Sequence, residues 1–243
     1  MEAIISKNIH IVIGSSGGIG SSFVRSLSKD IDNKIYAFSK SKKLFNLPNV
    51  IECSIDVSCE KNIEHSAKNI TEKGQVISII IATGILYDRE TKPERSLREI
   101  NRESLEKIFS INAFAPILIA KYFLPLISHD RRTTFSAISA RVGSISDNRL
   151  GGWYSYRASK AALNMLLKTL SIEVKRKYKK LIVIGLHPGT VDTVLSEPFQ
   201  ANIPKGKLFT PDYSINSMLT VLNNVCIEDS GNLFDYNGHQ ISP

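Results

Sequence analysis

The apolar run Ile9 to Ile13 leads straight into Gly14-Ser-Ser-Gly-Gly18-Ile-Gly20, and this junction limits the fold more than any other part of the chain. Glycine tolerates the backbone angles of a tight turn and, lacking a Cβ, lets a strand and a helix approach closely. A helical pattern from Ser21 to Ser28 follows at once, so the first unit is strand, glycine turn, helix. A helix that starts there presents free N–H groups and the positive end of its dipole, which suits a phosphate. A glycine-rich turn with no ligand has the same local sequence, and the rest of the chain must decide between the two.

Strand-like and helix-like segments continue to alternate. Strands are expected at Lys34 to Phe38, Val50 to Ile55, Val76 to Ala82, around Thr134 to Ala140, and at Leu181 to Leu186. Helices are expected at Lys61 to Lys73, Ser104 to Ile127 and Tyr154 to Lys177. Val76 to Ala82 is a near-continuous apolar run, as in a strand covered on both faces. The alternation argues for one α/β domain over residues 1–243, with a parallel sheet and helices on both sides. Thr193 to Pro211, rich in Pro, Gly, Ser and Lys, is the least regular stretch; it suits a mobile substrate lid or an ordinary surface loop.

Composition excludes several classes. No run of about eighteen apolar residues is present, so no membrane span is expected. The N-terminus has no basic segment followed by an apolar one, so no secretory signal is expected. Cys53, Cys59 and Cys226 are odd in number and lack metal-ligand spacing, which fits a reducing cytoplasm and no metal site. A net charge of +8 raises nucleic acid as a partner, but the lysines and arginines are scattered, and the densest run, Lys175 to Lys180, follows a helix as a solvated end. No nucleic-acid or membrane partner is expected; part of the excess can serve an anionic cofactor.

Tyr156-Arg-Ala-Ser-Lys160 sits at the start of the last long helical pattern. Residues four apart share a helix face. An ammonium beside a phenol favours the phenolate and is expected to lower the tyrosine pKa. A carbonyl reductase needs an acid of this kind, because the substrate oxygen becomes negative as hydride arrives.

Together, Gly14-x-x-x-Gly18-x-Gly20 and Tyr156-x-x-x-Lys160 resemble the short-chain dehydrogenase/reductase family, and further segments match in order. Asp56-Val57 stands where the family contacts adenine, and Ile81-Ala82-Thr-Gly84 where it usually has Asn-Asn-Ala-Gly. Asn112 matches the active-site asparagine, and Pro188-Gly189-Thr-Val191-Asp-Thr193 the segment around the nicotinamide carboxamide. The stretch from Arg141 to Tyr154 looks most like the C-factor-like and carbonyl-reductase-like members. The resemblance implies a Rossmann-type doubly wound sheet and a nicotinamide cofactor held by Gly14, Ser16, Gly18, Ile19, Gly20, Asp56, Val57, Ala82, Gly84, Pro188, Gly189, Val191 and Thr193. It also implies catalysis by Tyr156 as proton donor, with Lys160 lowering its pKa and holding the ribose, and Asn112 anchoring a relay water. A homodimer or homotetramer through the helices of 104–127 and 154–177 is implied in the same way. The other reading of Asn112 is a buried amide satisfying backbone beside a helix break.

Charge bears on the choice of cofactor. NAD sites place a carboxylate at the end of the second strand. Here that strand ends Phe38-Ser39-Lys40, with Lys42 and Lys43 beyond, so Ser39 and Lys40 are expected to take a 2′-phosphate and NADPH to be preferred over NADH.

One position departs from the family. The catalytic serine lies three residues before a glycine, and in Ala137-Ile-Ser-Ala140-Arg-Val-Gly143 that slot holds Ala140. Ser139 should point to the opposite face of the strand, and Ser136 lies about 13 Å back at about 3.3 Å per residue. Unless a bulge turns Ser139 inward, Ser144, Ser146 or a water are candidates to replace the hydroxyl. Losing one oxyanion donor costs roughly 10²- to 10³-fold in rate. Two functions therefore remain open: an NADPH-dependent oxidoreductase reducing a small ketone or aldehyde to an alcohol, and a cofactor-binding regulatory or signalling protein with weak or no turnover. Elsewhere, His187 is either a substrate contact or a histidine satisfied by backbone, and His10 belongs to the core or an edge. Trp153 and Tyr154 line either the substrate mouth or a subunit contact, and Arg141 and Arg149 either attract an anion or are simply solvated.

Overall fold

Runs of Ile and Val with few polar interruptions form the middle of one sheet. The computed structural model describes residues 8–41, 43–72 and 75–243. Lys42, and Lys73 at the end of an expected helix, lie outside the described residues. Six strands come first: β1 (Asn8–Ile13), β2 (Asn33–Ser39), β3 (Val50–Ser54), β4 (Val76–Ile81), β5 (Thr133–Ile138) and β6 (Leu181–His187). A two-stranded pair follows, β7 (Thr190–Val191) with β8 (Leu208–Phe209), and then β9 (Leu233–Asp235) and β10 (Gln240–Ile241). The main sheet runs β10-β9-β6-β5-β4-β1-β2-β3, parallel throughout except for β10 against β9. Its helices are α1 (Gly18–Leu27), α2 (Glu60–Lys68), α3 (Arg102–Phe109), α4 (Ala115–Phe123), α5 (Tyr154–Val174) and α6 (Pro211–Asn224).

Two apolar cores account for this layering. On one face Ile63, Ile119, Phe123, Leu163 and Leu167 from α2, α4 and α5 pack on the sheet. On the other, Phe23 and Val24 from α1 meet Ile215, Met218 and Leu222 from α6. The fold is therefore a Rossmann-like α/β sheet wound on both sides. Strand order reverses between β1 and β4, and a crevice opens at the carboxyl ends of the strands there, which is where ligands bind in such sheets.

The expected elements are present with shifted ends. The helix expected at 61–73 stops at Lys68. The one expected at 104–127 is not continuous: α3 and α4 are joined by a π turn, Ser110–Phe114, and followed by a 3-10 turn, Leu124–Leu126. Pro116 contributes to this break, since it has no N–H for the carbonyl four residues back, that of Asn112. By length and composition alone an eighteen-residue window within the helical stretch Arg102–Leu126 is apolar enough to cross a bilayer, with mean hydropathy 1.5, although Ser110, Asn112 and Lys121 leave no unbroken apolar run of that length. Its apolar side chains Ile108, Ile119, Ala120 and Phe123 are buried in the protein, and core packing explains their hydropathy. The stretch expected to be irregular holds β8 and a 3-10 turn, Glu197–Asn202, and its last residue, Pro211, opens α6.

Candidate active site

The crevice is lined by Gly14, Ser16, Gly17, Ser39, Lys40, Asp56, Val57, Ser58, Ala82, Thr83 and Gly84. Gly14 has φ +92°, and a Cβ there would lie 2.7 Å from the carbonyl carbon of Ala82. At Gly20 a Cβ would lie 2.2 Å from the Gly14 oxygen, so this helix turn closes against the first glycine only without a side chain. Gly18 begins α1 and meets Thr193: a Cβ would come 2.6 Å from the threonine methyl. Ile19 is half-buried against the α1–α6 core. Pro188 accepts a hydrogen bond from Ser214 Oγ at 2.7 Å, Gly189 (φ +74°) lies under the rings of Phe209 and Tyr236, and Val191 is buried in β7. Thus Gly14, Ser16, Ser39, Lys40, Asp56, Val57, Ala82 and Gly84 share one cleft. Gly18 joins it to the 188–193 segment through Thr193.

Two buried hydroxyls in this region have no partner, Ser15 Oγ on the glycine turn and Thr83 Oγ1 on the cleft wall. Buried polar atoms are rarely left unpaired, and a polar ligand would satisfy them. Together with the glycines that keep side chains out, they make the cleft fit a dinucleotide. Sequence reasoning missed both hydroxyls, because only burial distinguishes them from other serines and threonines. Lys40 is already engaged: its Nζ lies 2.8 Å from Asp56 Oδ2. That ammonium and the Ser58 hydroxyl hold the Asp56 carboxyl down at about 2.

Tyr156 and Lys160 sit one turn apart at the start of α5, at 8% and 2% exposure. Lys160 Nζ donates to the Ile138 carbonyl at 2.8 Å and lies 5.7 Å from the centre of the Tyr156 ring. Burial sets both pKa values. It pushes the phenol up to about 12 and the ammonium down to about 8. The expected lowering of the tyrosine pKa is therefore not found here, because losing water outweighs the nearby charge.

Asn112, on the π turn, is fully buried. Its Oδ1 accepts from Ile85 N at 2.8 Å, and its Nδ2 donates to Ile85 O at 2.8 Å and to Ser159 Oγ at 3.1 Å. The side chain satisfies backbone at a helix irregularity, and the same contacts bring it beside Tyr156 and Lys160. A Cβ on Gly84 would lie 3.6 Å from both Asn112 Oδ1 and Lys160 Nζ.

Ala140 packs with Leu86 and Tyr156, so the alanine faces the phenol. The nearby hydroxyls are committed elsewhere. Ser139 Oγ donates to Asn164 Oδ1 at 2.6 Å and Ser136 Oγ to Ile79 O at 3.4 Å. Ser144 Oγ accepts from Asp147 N, and Ser146 Oγ donates to Pro243 O at 2.7 Å. Ser144 Oγ and Ser146 Oγ also lie 3.3 Å apart, so both hydroxyls have partners within the loop and at Pro243. Over Ala140 and Tyr156 close Trp153, Tyr87, Leu195 and Phe199, with ring centres 6.2 Å apart for Trp153 and Tyr156 and 5.0 Å for Trp153 and Phe199. Trp153 therefore packs over Tyr156 together with Leu195 and Phe199 of the 193–211 segment, while Tyr154 is exposed.

At His187 the buried Nδ1 has no partner. Burial and the charge of Arg141 bring it down to about 4. Arg141 itself lies 3.5 Å from both Asp147 and Asp235, so its charge is shared between two carboxylates. His10 is in the core, on a strand with neighbours on both sides, and burial lowers it to about 4. Arg149 is exposed. Among the described residues no group of three His, Cys, Asp or Glu side chains could hold a metal ion.

The model of the family described as short chain dehydrogenase matches residues 8–204. An uncharacterised oxidoreductase of Schizosaccharomyces pombe is 25% identical, covering 96% of this chain and 97% of its own. The C-signal protein of Myxococcus xanthus is 32% identical over 146 residues, which cover 60% of this chain and 82% of its own. Among solved structures, an NADPH-bound carbonyl reductase from chicken fatty liver superposes with a TM-score of 0.83 at 24% identity, covering 98% of this chain and 94% of that one.

Proposed function

The chain belongs to the short-chain dehydrogenase family of oxidoreductases, and from that premise we propose that it reduces a small ketone or aldehyde to an alcohol with NADPH. The observation that carries this reading is Tyr156 packed in an apolar cluster while Lys160 and Asn112 meet at Gly84, on the wall of the dinucleotide cleft. The glycine turn, Ser15, Thr83 and the 188–193 segment would hold the cofactor, which supplies the hydride. As the carbonyl carbon takes that hydride, its oxygen gains charge and takes the Tyr156 proton. A phenol held protonated up to about 12 enters the cycle in the acid form this needs. The Lys160 ammonium then stabilises the phenolate. Reprotonation would use a water near the Asn112 carbonyl, which Pro116 cannot engage.

Support for NADPH over NADH comes from the end of β2, where Ser39 and Lys40 stand without a carboxylate of the same strand. The 2′-phosphate would take Lys40 from Asp56. With Ala140 in place of a second donor, Tyr156 alone meets the developing oxyanion, at a cost of roughly 10²- to 10³-fold in rate. A homodimer or homotetramer in the cytoplasm completes the proposal. Exposed Phe114, Met165 and Ile172 on the π turn and α5 favour the assembly, and an odd number of cysteines without metal-ligand spacing favours the compartment.

A second reading, a cofactor-binding signalling protein with little turnover, draws on Ala140 and on the likeness to the C-signal protein. NADPH oxidation with a panel of ketones, aldehydes and quinones separates the two. Turnover in the native chain that rises in Ala140→Ser supports the reductase. NADPH binding with turnover only after that substitution supports the sensor.

A further inference from the structure

We infer that Glu94 is a positioning residue for the catalytic tyrosine, acting as the N-terminal cap of α5 from a distant part of the chain; this rests on the reductase reading of the same site. The helix begins without a cap of its own. Trp153, the preceding residue, is left-handed (φ 51°, ψ 44°) and its side chain caps nothing, and Gly151 and Gly152 before it also have positive φ. Three successive left-handed residues turn the chain sharply into α5. Its first N–H groups therefore lack the Ser, Thr, Asp or Asn that commonly receives them.

Glu94 takes that place. It is 2% exposed, although a carboxylate is rarely buried without partners. One carboxylate oxygen accepts from Ser155 N at 3.2 Å and the other from the Ser155 hydroxyl. The Glu94 main-chain carbonyl accepts from Trp153 N at 2.5 Å. A negative charge at a helix N-terminus also meets the favourable end of the dipole. Tyr156 is the next residue. On its other side the Ser159 hydroxyl donates to the Tyr156 carbonyl at 2.8 Å and accepts from Asn112. The tyrosine is thus held between two clamps, and both come from the excursion between β4 and α4: Ile85 with Asn112, and Glu94. An error of about 1 Å in a reacting group can cost 10²-fold, so the clamp on Ser155 bears directly on the rate.

The test uses the full chain with NADPH and para-nitrobenzaldehyde, and compares Glu94→Ala, Glu94→Gln and Ser155→Ala. Two quantities are read: kcat beside the NADPH dissociation constant, and amide hydrogen exchange over residues 155–158. Glu94→Ala is expected to lower kcat by about 10- to 100-fold with NADPH affinity within about threefold, and to speed exchange in the first turn of α5. Glu94→Gln keeps one acceptor and recovers part of both. Ser155→Ala gives a smaller loss in the same direction, and it carries the test if Glu94→Ala does not fold. Unchanged kcat in Glu94→Ala, or a kcat loss matched by an equal loss of NADPH affinity, overturns the inference. Should the native chain reduce no carbonyl, the reductase reading fails, and the exchange rates alone decide whether Glu94 caps α5.

Discussion

Replacing Lys160 by methionine should change the pH dependence of stability in a way the structure sizes. Burial lowers the Lys160 pKa from 10.5 to about 8. Between those values the unfolded chain binds the proton and the folded one does not, so native stability rises with pH across the window. At about 1.4 kcal/mol per pH unit, the rise is roughly 3 kcal/mol, and the full penalty is present below pH 8. Methionine removes the titration but leaves the Ile138 carbonyl without its 2.8 Å donor, a loss of about 1–3 kcal/mol at any pH. At pH 7 the two effects nearly offset. At pH 10.5 only the loss remains, and the variant is the weaker protein. Urea unfolding of both proteins, without nucleotide, at pH 7 and pH 10.5 measures the difference directly. The gap should move by about 3 kcal/mol against the variant as pH rises. A gap that stays constant would mean that Lys160 is not desolvated as its surroundings require.

The same pKa governs chemistry: carbonyl reduction should fall as pH rises above about 8, where Lys160 loses the charge that stabilises the Tyr156 phenolate. A kcat/KM profile checks this, and a flat profile to pH 10 would contradict it. Lys40→Ala should weaken NADPH binding about tenfold and leave NADH nearly unchanged, with the NADPH effect shrinking in high salt; titration of both nucleotides shows whether it does. Gly20→Ala drives a Cβ to within 2.2 Å of the Gly14 oxygen, so nucleotide binding and thermal stability should both drop. Ala140→Ser adds a hydroxyl beside Tyr156 and should raise kcat, up to about 10²-fold.

How much of this was legible in the residues depended on whether the signal was local. The glycine turn and Val76 to Ile81 carry their structure in their own composition, and the alternation around them implied a sheet covered on both faces. Tyr156 and Lys160 were visible because helical spacing alone puts them on one face. The π turn at Asn112 was not, since a proline four residues on marks a break but not its kind. Beyond Leu186 the short strands β7 to β10 have too few residues for periodicity. Helix α6 did carry a signal: Thr210 accepts from Tyr213 N, and Pro211 stands at the first helical position. Glu94 stayed hidden, because Arg-Glu-Thr-Lys-Pro-Glu-Arg has the composition of a solvated loop and only the tertiary fold buries one of its carboxylates. The direction of the Tyr156 pKa was missed for a related reason: sequence places a lysine near the phenol but does not show how completely both lose water.

In the proposed reaction Tyr156 delivers the proton while NADPH delivers the hydride to the same carbonyl. Its most direct test is to measure alcohol formed per NADPH consumed, at pH 7, in the native chain and in Tyr156→Phe. One alcohol per NADPH is expected in the native protein, and in the variant a loss of turnover with NADPH still bound. Equal turnover in the two proteins would contradict it.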